Sequence, residues 1–118
     1  MAIVQYTQPE RTDDYIKVVW ANVSGGDTCA PWAEGPEFDD RTMQVEGDFG
    51  TCTAGVQGSC SGNGYSALSD EAGNAASGWT SARVRGIITY TPLIKPEVTG
   101  SDVATALTFT LIAKRKRK

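Results

Sequence analysis

Apolar residues recur at every second position in two stretches of this chain, and that period decides which folds are open to it. In residues 42–49 the apolar or small positions alternate with Thr, Gln, Glu and Asp. Residues 103–113 follow the same rule, with a second face that is small and partly apolar. Side chains of an extended chain point alternately to opposite faces, so both stretches predict strands with one buried face. The predicted buried positions are Met43, Val45, Gly47 and Phe49 in the first stretch and Val103, Thr105, Leu107, Phe109, Leu111 and Ala113 in the second.

Two further stretches predict strands in different surroundings. Residues 15–23 are β-branched and aromatic and nearly apolar on both faces, which predicts a central strand. Residues 87–99 alternate as one strand but contain Pro92 and Pro96, which remove N–H donors from the same edge. This stretch is therefore expected at the edge of a sheet or beside a closing loop. A single helical turn is expected only at 79–85, which is too short to continue.

Segments that contain the turn residues Gly, Pro, Asn, Asp and Ser separate these stretches, at residues 24–27, 34–37, 58–64, 70–74 and 99–102. Short strands between turn clusters predict an all-β fold, a β-sandwich or jelly roll of about seven or eight antiparallel strands with long loops. A chain of 118 residues supports one hydrophobic core, so a single domain is expected. We expect a flexible amino-terminal arm at residues 1–12, the sandwich at 13–113 and a basic tail at 114–118.

The basic residues are distributed unevenly along the chain. The net charge is −3, but five of the 11 Lys and Arg residues form the run Lys114-Arg115-Lys116-Arg117-Lys118, which leaves −8 for the rest. Such a run is either a solvated tail or an electrostatic tether to an acidic surface. No strand interleaves basic and aromatic residues, so nucleic acid is disfavoured as a partner.

The sequence lacks the residues on which most catalytic sites depend. It contains no histidine, which removes the usual general base and the usual metal ligand. Adjacent acids such as Asp39 and Asp40 point to opposite faces of an extended chain, and residues 70–74 offer only part of a calcium ligand set. We therefore expect no enzymatic activity, no metal and no cofactor. No apolar run approaches the ~20 residues of a membrane span and no secretory signal is evident, so a soluble protein that is not exported is expected.

The cysteines and tryptophans leave some alternatives open. Cys29, Cys52 and Cys60 are odd in number and lack zinc spacing, so free thiols in a reducing compartment are expected. Trp20 lies in the predicted central strand and is expected in the core. Trp32 and Trp79 lie in loops, where each either covers the edge of the core or anchors a partner.

Several short motifs occur in an order that resembles a known family of viral proteins. The motifs are Trp20-Ala21-Asn22-Val23, Gly26-Asp27-Thr28, the segment from Asp40 to Gly50, Val56-Gln57-Gly58-Ser59, Leu68-Ser69-Asp70, Gly73-Asn74 and the segment from Ile94 to Gly100. In this order, over residues 15–113, the chain resembles small β-sandwich structural proteins of tailed bacteriophages, in particular head decoration, or cement, proteins. Ser61-Gly62-Asn63-Gly64-Tyr65 departs from the family, which usually has Asp-Gly followed by Trp there, and the terminal basic run is not a family feature.

The resemblance implies a virion protein on the outer surface of the capsid, made in the host cytoplasm. Its expected partners are the major capsid protein of the assembled head and further copies of itself in a homotrimer. A protein that binds the assembled lattice and not free subunits stabilises the assembled state. The residues expected to contact the capsid or a neighbouring subunit are Ile3, Val4, Tyr6, Trp32, Phe38, Tyr65 and Trp79.

One alternative belongs to a different class of protein. A carbohydrate-binding β-sandwich of a phage tail or adhesion device would also need no catalytic groups. In that protein, Trp32, Tyr65 and Trp79 would stack on sugar rings.

Overall fold

The computed structural model describes residues 3–33 and 36–115, and this part of the chain is built almost wholly from β-strands. The strands are β1 (Ile3–Val4), β2 (Thr7–Arg11), β3 (Tyr15–Val23), β4 (Thr28–Cys29), β5 (Trp32–Ala33), β6 (Asp40–Asp48), β7 (Thr53–Ser59), β8 (Ser66–Ala67), β9 (Arg83–Ile87), β10 (Leu93–Thr99) and β11 (Ala106–Lys114). The helical element described is a single 3-10 turn at Pro36–Phe38. Seven of the strands have five residues or more, and the other four have two residues each.

The strands form a sandwich of two antiparallel sheets around one core. The five-stranded sheet has the order β2-β3-β11-β6-β9, and the four-stranded sheet has the order β5-β10-β7-β8. The inner faces of both sheets contribute to the same hydrophobic cluster, with Trp20, Phe109 and Val56 among its fully buried members. The predicted single-domain all-β sandwich is confirmed. One short pair departs from the antiparallel prediction, because β1 and β4 run parallel.

The period-two alternation predicts β6 and β11 well. Met43, Val45 and Leu107 are buried, as the alternation requires. The prediction is wrong at Gly47, which is exposed and whose φ of 121° departs from regular strand geometry. The prediction is also wrong at Val103, because β11 begins at Ala106 and Val103 lies in the preceding loop with 85% of its surface exposed. Thr105 is buried in that loop, where its hydroxyl donates to the Phe49 carbonyl at 2.7 Å.

Strand β3 has the predicted bounds and lies between β2 and β11. It contains a bulge, because the pairs Val23–Leu107 and Trp20–Phe109 enclose two residues of β3 and one of β11. Asn22 takes the extra position with φ of 58°, a conformation that Asn adopts more readily than most residues. Trp20 remains inward, and its indole N–H donates to the Ala30 carbonyl at 2.8 Å.

Residues 87–99 are not one strand but two strands in different sheets. β9 ends at Ile87 and pairs with β6, whereas β10 begins at Leu93 and pairs with β7. Pro92 therefore lies in the loop that crosses between the sheets. The single helical turn expected at 79–85 is also wrong, because Trp79 bridges to Ala54 and the segment continues into β9.

Pro96 lies at a position of β10 where no hydrogen bond to β7 requires a backbone N–H. The N–H of its partner Val56 donates to Ala76, away from β10. Opposite residues of an antiparallel pair either bond each other or both point away, so the backbone groups of Pro96 point away from β7. On that side β5 pairs only with Leu93 and Ile94. β10 is therefore not the edge strand that the sequence predicts, since it lies between β5 and β7, but Pro96 itself lies beyond the end of β5.

The two edge strands of the five-stranded sheet, β2 and β9, contain residues that hinder the pairing of a further strand. β2 contains Pro9 and is exposed along its whole length. In β9, Arg83 and Arg85 pair with the inward residues Val45 and Met43, so both arginines lie on the core side of the sheet. The Gly86 N–H of β9 donates to a Glu71 carboxylate oxygen instead of to a further strand.

Candidate interaction surfaces

The residues predicted to contact a partner fall into buried and accessible groups. Trp32, Phe38 and Trp79 are 1%, 4% and 3% exposed, so a partner can reach almost none of their side chains. The sequence leaves two roles open for Trp32 and Trp79, covering the edge of the core or anchoring a partner. In the structure both side chains cover the core. Ile3 is 68% exposed, and Tyr65 is half-buried. The structure does not bring these seven residues together on one surface.

The amino-terminal segment is attached to the sandwich from residue 3 onward. β1 pairs with β4, the Ala30 N–H donates to the Val4 carbonyl at 2.9 Å, and β2 pairs with β3. Val4 and Tyr6 pack against the core, and the Tyr6 ring lies edge-on to Trp20 with 5.9 Å between centroids. Residues 3–11, expected in a flexible arm, are therefore paired within the chain, and Ile3 keeps the exposed side chain.

The basic run begins inside the fold. Lys114 is the last residue of β11, where it pairs with Tyr15 and Asp40. The Arg115 N–H donates to the Asp14 carbonyl at 2.7 Å, and its side-chain Nε donates to the Asp13 carbonyl at 2.6 Å. The Arg115 guanidinium also lies 4.7 Å from the centroid of the Phe38 ring. The remaining three residues of the predicted tail, Lys116, Arg117 and Lys118, lie outside the described residues.

A buried arginine contacts the 3-10 turn, the loop at 88–92 and β5. Arg41 is 1% exposed, and its guanidinium donates to the Phe38 carbonyl at 3.0 Å and to the Thr91 carbonyl at 2.7 Å. It lies 5.4 Å from the centroid of the Trp32 ring and 4.7 Å from that of Tyr90. Sequence reasoning missed this residue, although Arg41 is in phase with the inward positions Met43 and Val45. That phase is the signal that could have found it.

A polar cleft of about 210 Å³ lies where β4 separates from β10. Its lining is Asp27, Thr28, Cys29, Gln57, Lys95, Pro96, Glu97 and Val98. The polar groups on the β10 side already contact one another, since Gln57 donates to Glu97 at 2.7 Å and the Lys95 ammonium lies 4.3 Å from the centroid of the Tyr65 ring. The cleft is smaller than the roughly 300–1,000 Å³ of most sites for drug-sized ligands.

The outward faces of the two sheets differ in chemistry. The outward face of the four-stranded sheet carries Lys95, Glu97 and Gln57. At the centre of the five-stranded sheet, the outward side chains are instead uncharged, and most are β-branched. They are Val19 and Ala21 on β3, Thr42 and Gln44 on β6, Val84 on β9 and Thr108, Thr110 and Ile112 on β11. We call these eight residues the neutral face.

The fold shifts the pKa of two titratable side chains, Asp102 and Cys29. Asp102 accepts hydrogen bonds from the backbone N–H groups of Ala104 and Thr51, both at 2.9 Å, and these bonds lower the pKa of its carboxyl. All three cysteines are free thiols, and burial raises the pKa of Cys29 to about 12. Within residues 3–33 and 36–115, no three His, Cys, Asp or Glu side chains are placed to hold a metal ion.

No helix among the described residues is long and apolar enough to cross a bilayer. Comparison of the chain with protein-family models, with curated proteins and with solved structures found no match.

Proposed function

We propose that this chain is a decoration, or cement, protein of a tailed-phage head, which binds the outside of the assembled capsid and stabilises it. The observation that carries the proposal is the place of the family-like motifs in one sandwich. Gly26-Asp27-Thr28 leads into β4, the segment from Asp40 to Gly50 forms β6 and its following turn, and the segment from Ile94 to Gly100 forms β10 and its following turn. The resemblance thus falls on the structural elements that build the fold.

A decoration protein has to bind the capsid and does not have to catalyse a reaction. A protein that binds the assembled shell, and not free subunits, adds RT ln(1 + [L]/Kd) to the stability of the shell at each site. In this proposal the partner is the major capsid protein, the chain self-associates as a homotrimer, and it resides on the outer surface of the virion. It acts without catalytic residues, cofactor, membrane or nucleic acid.

Burial of Trp32 and Trp79 favours this role over a carbohydrate-binding module. Sugar rings stack on exposed aromatic faces, but Trp32 and Trp79 are almost fully buried. Tyr65 is accessible, yet Lys95 already lies over its ring at 4.3 Å. None of the three aromatics expected to hold sugar therefore offers a free, exposed ring face.

A binding experiment with phage heads tests the proposal. Heads of the phage that encodes the chain, prepared without this protein, are mixed with the purified protein and sedimented. We expect the protein to co-sediment with heads and to raise the temperature at which they disrupt, and we expect no binding to unassembled major capsid protein. Failure to co-sediment, or equal binding to unassembled subunits, would contradict the proposal.

A matched pair of variants tests the amino-terminal contact. Ile3 and Val103 are both exposed aliphatic residues, at 68% and 85%, so a glutamate at either position leaves the core intact. Burying an isoleucine side chain contributes about 1.5–3 kcal/mol, so Ile3→Glu should weaken binding to heads by roughly tenfold or more. Val103→Glu should leave it unchanged. Equal affinities for the two variants would remove Ile3 from the contact.

A further inference from the structure

We propose that the neutral face is the surface through which copies of this chain pack against one another. This inference rests on the self-association proposed above, and it adds the surface that carries it. The exposed face of an antiparallel sheet ordinarily carries polar and charged residues opposite the core. Here the eight central side chains carry no charge, and Val19 and Ile112 are aliphatic.

The outward face of the five-stranded sheet is large enough for a specific contact. Three of its strands have nine residues and two have five. At ~3.3 Å per residue and ~4.8 Å between strands, the face covers about 600 Å² on each copy. Specific interfaces bury about 800 Å² on each partner and exceed about 1,000 Å² in total. Two copies that bury this face against each other therefore reach about 1,200 Å² in total. In a trimer each copy divides the face between two neighbours, and the three contacts together bury about 1,800 Å².

The charges at the rim of the face favour one arrangement of the copies. On the outward side of β6, Glu46 and Asp48 flank the neutral residues at one end, and at the other end Asp40 lies opposite Lys114. On the β2–β3 side, Lys17 and Glu10 form an ion pair at 3.8 Å and cancel each other. Packing the β6 side of one copy on the β6 side of another would oppose carboxylates with carboxylates, which disfavours that contact. The β2–β3 side of one copy therefore packs on the β6–β9 side of the next, an arrangement that a three-fold axis along β11 satisfies.

The outward face of the four-stranded sheet is less suited to contact between copies than the neutral face is. Its outward surface holds Lys95, Glu97 and Gln57, which already contact one another or Tyr65. Charged residues are depleted at the centres of protein interfaces. The neutral face meets that condition, and the outward face of the four-stranded sheet does not.

The test compares lysine substitutions on the two sheets by size-exclusion chromatography with light scattering. Thr110→Lys and Val84→Lys place a charge on the neutral face, whereas Thr99→Lys places the same charge on an outward position of β10. We expect a wild-type trimer, a dissociation constant raised at least about tenfold by each of the first two substitutions, and no change with Thr99→Lys. Val84 is 50% exposed, so its substitution retains the fold if Thr110→Lys does not.

The outcomes separate this inference from the proposed function. A wild-type monomer at all concentrations would overturn both the homotrimer and the role of the neutral face. A wild-type trimer that persists in both Thr110→Lys and Val84→Lys, with folded protein by circular dichroism, would overturn the neutral face alone. Equal dissociation of Thr99→Lys would overturn it as well, because that residue lies on the other sheet.

Discussion

Substitution of Arg41 by leucine tests how far a single buried charge fixes the loops of this sandwich. Leucine fills part of the space but provides no donor, so the Phe38 and Thr91 carbonyls lose the bonds of 3.0 and 2.7 Å that Arg41 donates to them. Hydrogen bonds from charged groups contribute about 1.5–3 kcal/mol each, and a buried charge carries a desolvation penalty of several kcal/mol. Replacing both partners of a buried ion pair by hydrophobic residues often costs no stability. Here the acceptors are main-chain carbonyls, which stay buried in the variant.

Each buried carbonyl left without a donor costs about 1–3 kcal/mol, so the two acceptors give an expected loss of about 2–6 kcal/mol in the free energy of unfolding. This is a large part of the roughly 5–15 kcal/mol by which a typical domain is stable. Urea denaturation followed by tryptophan fluorescence measures it, and the slope m should not change. Arg83→Leu is the matched control, because Arg83 also lies over a tryptophan, at 5.6 Å from the Trp79 centroid, but is only half-buried. We expect the control to lose about 1 kcal/mol or less.

A loss for Arg41→Leu no larger than that for Arg83→Leu would refute the reasoning. It would mean that the desolvation of the buried guanidinium cancels its bonds to the two carbonyls. The loops at 36–38 and 88–92 would then owe their positions to other contacts.

Three further predictions concern the remaining polar groups. Asp102→Asn should lower the urea midpoint at pH 7, because a lowered pKa in the folded state means that the ionised carboxylate stabilises the fold. The difference from wild type should begin to shrink as the pH falls through the ordinary carboxyl pKa of 3.8 and should disappear below the lowered pKa of the folded state. A thiol reagent at neutral pH should modify Cys60 in the folded protein and all three cysteines after denaturation, since Cys60 is exposed and the other two are buried. Truncation after Lys114 should reduce stability by about 1 kcal/mol relative to truncation after Arg115, measured by urea unfolding, because only the longer chain keeps the bonds from Arg115.

The alternation of residue types predicted the strands whose two faces meet different surroundings. β6 and β11 have one face on the core and one outward, so burial imposes the period that the sequence displays. The same period failed at 87–99, because it continues through the loop at 88–92 and contains no information about which sheet a strand joins. In the crossing loop, Thr91 and Tyr90 contact Arg41, which is far from them along the chain, so no local pattern can reveal these contacts.

The candidate contact residues were harder to predict for a related reason. An aromatic residue in a loop has the same local sequence whether it covers the core or faces solvent, and only the tertiary structure places Trp32 and Trp79 inside. The pairing of β1 with β4 likewise joins two-residue segments that are 25 positions apart in register. Segments this short have too few residues to display a period.

The residues at the sheet margins determine how this protein behaves when it is concentrated. Cross-β fibres grow when an unpaired strand of one molecule accepts a strand from the next, and proline or an inward-pointing charge at that strand prevents the step. Pro9 removes a donor from β2, Arg83 and Arg85 would be desolvated by a strand added to β9, and Pro96 removes a donor from the open side of β10. These residues therefore disfavour edge-to-edge polymerisation at three margins, and we expect the concentrated protein to resist conversion into fibres.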